Sequence, residues 1–164
     1  MKELGVIVSR AFLIVIFWAA IGFGVNALRT TGLSWIYVPP EELLIEGLKV
    51  KLVDEKEAAR FLNDPETIFV DTRHEQDYRE RHVKSAVFLP EENVEERFLT
   101  VQGLMPEDGR YILYCYGPEC DMAEKVAWFL AKNGYQNMMI MAAGFRAWEK
   151  AGYPVDRPDG KREP

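Results

Sequence analysis

The amino-acid sequence points to an α/β fold: a five-stranded, mainly parallel sheet flanked by helices, preceded by one long apolar helix. Three observations carry this expectation. From residue 48 onward, apolar runs of three to five residues alternate with amphipathic helical stretches, and strands buried on both faces and joined by helices are the mark of a parallel sheet. Two of those runs end at chemically distinctive residues, Asp71 and Cys115, which is where open parallel sheets place their sites. Finally, Ala11–Leu28 is eighteen residues without a charge, unlike anything that follows.

As a helix, Ala11–Leu28 would be about 27 Å long, close to the roughly 30 Å hydrocarbon thickness of a bilayer. Arg10 and Arg29 bracket it, and Trp35 and Tyr37 follow where amphipathic rings can sit among headgroups. Residues 1–29 are therefore expected to form a single transmembrane anchor. A buried core helix would normally show a polar face, which this segment lacks. A cleaved secretory signal is the stronger alternative, since Lys2 and Arg10 precede the apolar stretch and Val25-Asn26-Ala27 offers small residues for cleavage. Lys2 and Arg10 outnumber Arg29, a slight bias toward keeping the amino end inside and exporting the remainder.

Residues 30–47 read as a juxtamembrane tether, broken by Gly32, Pro39 and Pro40, with a short amphipathic stretch from Glu41 to Ile45. The domain proper is expected over 48–156. Its first strand lies near Val50–Leu52, and Asp54 is an N-cap for a helix reaching Leu62. Thr67–Val70 is a second strand, followed by a polar helix over Glu75–Arg81. Ala86–Leu89 and a helix over Glu92–Val101 come next, then Tyr111–Tyr114 as the fourth strand. Asp121–Asn133 is a helix closed by Gly134, Met138–Met141 the fifth strand, and Phe145–Lys150 helical. Residues 157–164 are a polar tail.

Composition narrows the function. With 164 residues the chain holds one globular domain, and 48% hydrophobic against 28% charged residues is ordinary for a chain that buries a core. Net charge is −6. Setting aside residues 1–29, which hold Lys2, Arg10, Arg29 and Glu3, leaves 17 basic and 25 acidic residues, so a nucleic-acid partner is not expected. Two Cys and two His cannot complete a four-ligand structural zinc site without carboxylates. Neither a dinucleotide fingerprint nor a phosphate-binding loop is present, so no cofactor is expected.

Cys115 ends the most apolar strand, and Tyr116-Gly117-Pro118-Glu119-Cys120 leads into the helix at Asp121. Free N–H groups at a helix start can surround a sulfur and favour its anion, a nucleophile's position. A structural Cys at a strand end is the bland alternative. Cys120 is a possible second thiol: a second sulfur acceptor, a thiol that closes a disulfide with Cys115, or a plain residue ahead of the helix. Phosphatase chemistry, which pairs Cys with an Arg six positions on, is disfavoured because that position is Asp121.

Phe69-Val70-Asp71-Thr72-Arg73, Tyr78, Arg81-His82-Val83-Lys84-Ser85-Ala86, Leu113-Tyr114-Cys115, and Ala143-Gly144-Phe145-Arg146-Ala147-Trp148 with Gly152-Tyr153-Pro154-Val155 together resemble the rhodanese-like domain over residues 48–156. The apolar segment ending in Asn-Ala-Leu-Arg is similar to that of bacterial membrane-anchored members, which implies a single-pass protein; with the Lys2 and Arg10 bias, the domain is expected on the periplasmic side. The resemblance implies a sulfurtransferase in which Cys115 carries a sulfane sulfur as a persulfide, with a sulfur donor and a thiol or small-nucleophile acceptor as partners. It also implies that Asp71 and Arg73 support the site from the neighbouring strand, with His82 nearby. The loop departs from the family in carrying Glu119 and Asp121 and no cation, so thiosulfate meets no counter-charge there. A carboxylate about 7 Å from the sulfur repels a thiolate by about 1.2 kcal/mol at an effective dielectric near 40, which roughly offsets a helix N-terminus. A Cys115 pKa modestly below about 8.5 is therefore expected. A thiol-disulfide redox protein and a non-catalytic binding module are the alternatives, and no sequence feature identifies a membrane-protein partner.

Overall fold

The computed structural model describes residues 2–28 and 41–157, with side chains described for 10–25 and 41–157. It divides into two units, Met1–Pro39 and Pro40–Pro164. The first contains α1 (Lys2–Leu28), a 27-residue helix on which Phe12, Leu13, Val15, Phe17, Trp18 and Phe23 are each more than half exposed. The expected transmembrane span finds less than its sequence promised. The helix is there, but among the described residues no helix is long and apolar enough to cross a membrane. Trp35, Tyr37 and most of the tether lie outside the described residues, as does the tail beyond Arg157.

The second unit holds a six-stranded sheet and a two-stranded one. Its strands are β1 (Glu42–Ile45), β2 (Leu48–Val53), β3 (Thr67–Asp71), β4 (His82–Val83), β5 (Val87–Phe88), β6 (Arg110–Tyr114), β7 (Met138–Met141) and β8 (Val155–Asp156). The helices are α2 (Glu55–Ala59), α3 (Glu75–Glu80), α4 (Val94–Val101), α5 (Met122–Lys132) and α6 (Gly144–Lys150). The large sheet runs β1-β2-β7-β6-β3-β5; β2, β7, β6, β3 and β5 are parallel and β1 is antiparallel to β2.

This is one strand more than the five expected, and the extra strand lies in the stretch expected to be tether. Ile45 pairs with Leu48 across a two-residue turn in which Glu46 (φ 50°) and Gly47 (φ 80°) are both at positive φ, as a type I′ hairpin turn requires. The turn is Glu-Gly rather than the familiar Asn-Gly or Asp-Gly, so the sequence signal is weak. The antiparallel pair β4–β8 was also not anticipated, because two residues per strand carry no periodicity. The expected helix from Glu92 opens instead as a 3-10 turn over Glu91–Asn93 before α4. At α2, Asp54 Oδ1 accepts from the Glu57 N–H at 2.7 Å, the cap the sequence called for.

Alternation along β6 divides the core. Tyr111, Leu113 and Cys115 join Val126, Ala127, Leu130 and Phe98 on one face; Ile112 and Tyr114 join Phe69, Phe145 and Trp148 on the other. Side chains two apart share a face and neighbours oppose, so Cys115 is turned toward α5 while Tyr114 is turned toward α6.

Candidate active site

Because β3 and β6 are parallel neighbours with Asp71 opposite Tyr114, their carboxyl ends meet at one edge of the sheet. There Asp71 and Arg73 are almost completely buried, at 0% and 3% exposure. Arg73 Nη2 donates to Asp71 Oδ2 at 2.6 Å and Nε to Oδ1 at 3.0 Å, a forked pair. The Arg73 backbone N–H adds a bond to Oδ1 at 3.0 Å, and the Tyr114 hydroxyl donates to Oδ2 at 2.7 Å. Nη2 also reaches the Arg81 carbonyl at 2.7 Å, and the guanidinium lies 3.9 Å from the centre of the Phe145 ring, within cation–π range. Burial works against the Arg73 charge, but hydrogen bonds and Coulombic attraction to Asp71 outweigh it and raise its pKa. Burial, with Asp71 adding to it, pushes the Tyr114 hydroxyl far above its ordinary range, so it stays a donor.

The loop begins where this brace ends. Phe145 N–H donates to the Cys115 carbonyl at 2.7 Å and Arg146 N–H to the Tyr116 carbonyl at 3.2 Å, seating the loop on the start of α6. The approach is close enough to exclude a side chain at Gly144: a Cβ there would stand 2.4 Å from the Gly117 nitrogen, and its φ is +68°. Tyr116 anchors the loop from outside, its hydroxyl donating to Asp77 Oδ2 at 2.6 Å. Burial first, and that bond second, push its pKa up to about 12.

Cys115 is 3% exposed and forms a disulfide with the partly exposed Cys120, with Cα atoms 6.3 Å apart. A turn in which Cys120 N–H donates to the Gly117 carbonyl at 3.0 Å folds the loop back to make this distance. Cys115 Sγ lies 3.2 Å from the Cys120 carbonyl oxygen and 3.9 Å from that of Gly117.

The structure brings Asp71 and Arg73 to the edge that carries Cys115. His82 lies on β4, where its Nδ1 donates to the Tyr78 carbonyl at 2.8 Å and its ring stacks on Tyr78 at 3.9 Å; its neighbours meet the brace, the Arg81 carbonyl accepting from Arg73 and the Val83 N–H donating to the Tyr114 hydroxyl at 3.0 Å. Pro118, Glu119 and Asp121 are exposed, and Asp121 makes no side-chain cap on α5. Cations missing from the loop sequence arrive from helices. Lys125 Nζ lies 3.2 Å from Asp121 and 3.4 Å from Glu91, and Arg146, exposed at the start of α6, stands 5.9 Å from the Tyr116 ring. Tyr114, Gly144, Lys125 and Arg146 join the site, Tyr114 and Arg146 without a signal of their own in the sequence. Gly144 falls inside the Ala-Gly-Phe segment, and Lys125 is marked in the sequence as the i+4 partner of Asp121. Among the described residues no cluster of three or more metal-ligating side chains occurs.

A disulfide-forming cysteine at the carboxyl end of a central parallel strand, braced by a buried acid–arginine pair from the next strand, defines an α/β domain built around a cysteine loop. The model of the rhodanese-like domain matches residues 54–151, more than half of the chain, and the protein belongs to that family. A thiosulfate sulfurtransferase, GlpE, of Haemophilus influenzae is 33% identical over 89 residues, 54% of this chain and 79% of that one. A tRNA uridine(34) hydroxylase of Hamiltonella defensa is 27% identical over 105 residues, 62% of this chain. The match spans only 29% of that hydroxylase's length. Among solved structures, the BH2092 protein of Bacillus halodurans superposes with a TM-score of 0.57 at 24% identity, covering 64% of this chain and 75% of that one. The rhodanese-like domain of Anabaena sp. Alr3790 does so at 0.55 and 21%, covering 69% and 83%. These structural likenesses bear on the fold alone.

Proposed function

We propose that the protein is a sulfurtransferase that carries sulfane sulfur on Cys115. The observation that supports this most is the seating of Cys115 at the end of β6, beside a buried brace and at the head of a loop fixed to α6. The disulfide form is first reduced by two external thiols: one attacks Cys120 Sγ and releases Cys115 as thiolate, and the second attacks the resulting mixed disulfide, frees Cys120 and leaves the two external thiols joined as a disulfide. The Cys115 thiolate then attacks the outer sulfur of a donor such as thiosulfate; the donor's S–S bond breaks and sulfite leaves with the electron pair. An acceptor thiolate attacks the outer sulfur of the persulfide and Cys115 leaves as thiolate. Asp71, Arg73 and Tyr114 hold the end of β6 in place, and Lys125 and Arg146 offset part of the acidic charge around the loop.

The exposed apolar surface of α1, which runs round the helix from Phe12 to Trp18, supports attachment of the domain to a membrane, with the periplasmic side proposed from the Lys2 and Arg10 bias. Fractionation of the full chain before and after alkaline carbonate extraction tests this; release into the soluble fraction overturns it. The catalytic assignment is tested by intact mass after incubation of the reduced protein with thiosulfate. A gain of one sulfur atom, absent in Cys115→Ser, is expected; the same gain in that variant overturns the assignment. A second reading, a thiol-disulfide redox protein, is favoured by the bond between Cys115 and Cys120. It requires disulfide exchange with substrate thiols and no sulfur uptake.

A further inference from the structure

We propose that Cys120 resolves the Cys115 persulfide inside the loop, so that the protein releases hydrosulfide and draws on a thiol reductant for each turnover. The inference rests on the persulfide reading above and deepens it. Its first support is placement. The turn closed by Cys120 N–H and the Gly117 carbonyl brings the two Cα atoms to 6.3 Å, inside the 4.4–6.8 Å window from which a disulfide forms without backbone movement. The first half of the loop cannot retreat from this geometry, because the Phe145 and Arg146 amides hold it and Gly144 packs directly beneath Gly117.

Access is the second support. Cys115 is 3% exposed with its sulfur bonded to Cys120; once a persulfide has formed, its outer sulfur stands between Cys115 Sγ and dissolved thiols. Cys120 is the one thiol already positioned against that inner atom, and a tethered nucleophile acts at an effective concentration far above that of a dissolved one. Surroundings are the third. The carbonyl oxygens of Cys120 and Gly117 lie 3.2 Å and 3.9 Å from Cys115 Sγ, and such acceptors give no stabilisation to a sulfur anion. Lys125, paired with Asp121, neutralises one of the two carboxylates that flank Cys120.

The Cys120 thiolate attacks Cys115 Sγ of the protonated persulfide; a new Cys115–Cys120 bond forms, the persulfide S–S bond breaks, and the outer sulfur leaves as HS− with the electron pair. Two thiols then reduce the disulfide and are themselves oxidised to one disulfide. With thiosulfate as donor, one thiosulfate and two thiols give sulfite, hydrosulfide, one proton and the oxidised thiol.

The test uses the full chain, reduced, freed of reductant and mixed with thiosulfate, with sulfite, hydrosulfide and intact mass followed together. The wild-type protein should release one hydrosulfide per sulfite and finish two protons lighter than its reduced form. Cys120→Ser and Cys120→Ala should release sulfite as the wild type does, which also certifies their fold. Both should keep the added sulfur, with hydrosulfide release at least tenfold lower. Hydrosulfide release from both variants at the wild-type rate overturns the inference, as does transfer of the sulfur onto Cys120 without release, seen by peptide mapping. Sulfite without hydrosulfide from the wild type sinks the resolving step alone. Absence of sulfite and of sulfur uptake sinks the persulfide reading and this inference with it.

Discussion

The brace at the end of β3 and the loop at the end of β6 start from the same edge of the same sheet and are built in opposite ways. In the brace every charge is buried and answered: Asp71 receives four hydrogen bonds from Arg73 and one from Tyr114. In the loop the acidic side chains face solvent, and its hold on the rest of the molecule is two backbone bonds, one tyrosine and the flat surface of Gly144. The difference teaches where the molecule can change. A buried network tolerates no missing member, since the partner left behind is an uncompensated charge, whereas a loop held mainly by its backbone can open and close a disulfide without disturbing the sheet.

The largest way to break this contrast is Arg73→Ala, which leaves Asp71 charged and buried; a loss of about 3 to 5 kcal/mol is expected in a denaturant titration. A loss below about 1 kcal/mol would mean that Tyr114 and the Arg73 amide suffice. Gly144→Ala comes next. The added methyl has to displace Gly117 and adopt a positive φ, which costs on the order of 1 to 3 kcal/mol, and persulfide loading should fall with it; normal loading would show that the seat on α6 is not needed. Reducing the disulfide releases a short loop and should lower stability by about 2 kcal/mol. Cys120→Ser should then match reduced wild-type protein in a thermal melt; a large gap between the two would assign the effect to something other than the cross-link.

Two smaller effects sharpen the loop side. The fold keeps Tyr116 neutral up to about pH 12, above the value near 10 of an unfolded tyrosine. Its contribution is therefore complete below pH 10 and is lost as pH rises through 12. Tyr116→Phe should flatten the alkaline limb of the stability profile in that window, and an unchanged limb would assign it to other tyrosines. Lys125→Gln should slow reaction with thiosulfate by about threefold at low salt, an effect that disappears at high salt; a salt-independent loss would point to a structural role.

Most of the domain could be read from the sequence because its elements are long enough to show a period. Thr67–Val70, Tyr111–Tyr114 and Met138–Met141 fall within a residue of the observed strands. The two-residue pairs at His82–Val83 and Val155–Asp156 have no pattern to detect. At the site, Asp71, Arg73 and Cys115 stood out because polar groups at the ends of apolar runs need an explanation. The Tyr114 hydroxyl did not. Its meeting with Asp71 depends on the register of β3 against β6, which is a property of the assembled sheet. For the same reason the sequence suggested a loop without cations, although α5 and α6 each supply one from their first turns.

The hairpin formed by β1 and β2 decides which side of the domain the chain arrives on. Had the domain opened at Leu48, the polypeptide would have come in at the amino end of the parallel strands, the far side from the cysteines. Because β1 runs backward beside β2, with Glu42 opposite Lys51 and the Glu41 carbonyl accepting from the Leu52 amide, the incoming chain meets the domain on the edge that holds Cys115. Three strand spacings separate β1 from β6 in the order β1-β2-β7-β6, about 14 Å at roughly 4.8 Å each. The first described residue of the domain, Glu41, thus stands at the end of the sheet that carries the cysteine loop rather than at the opposite one.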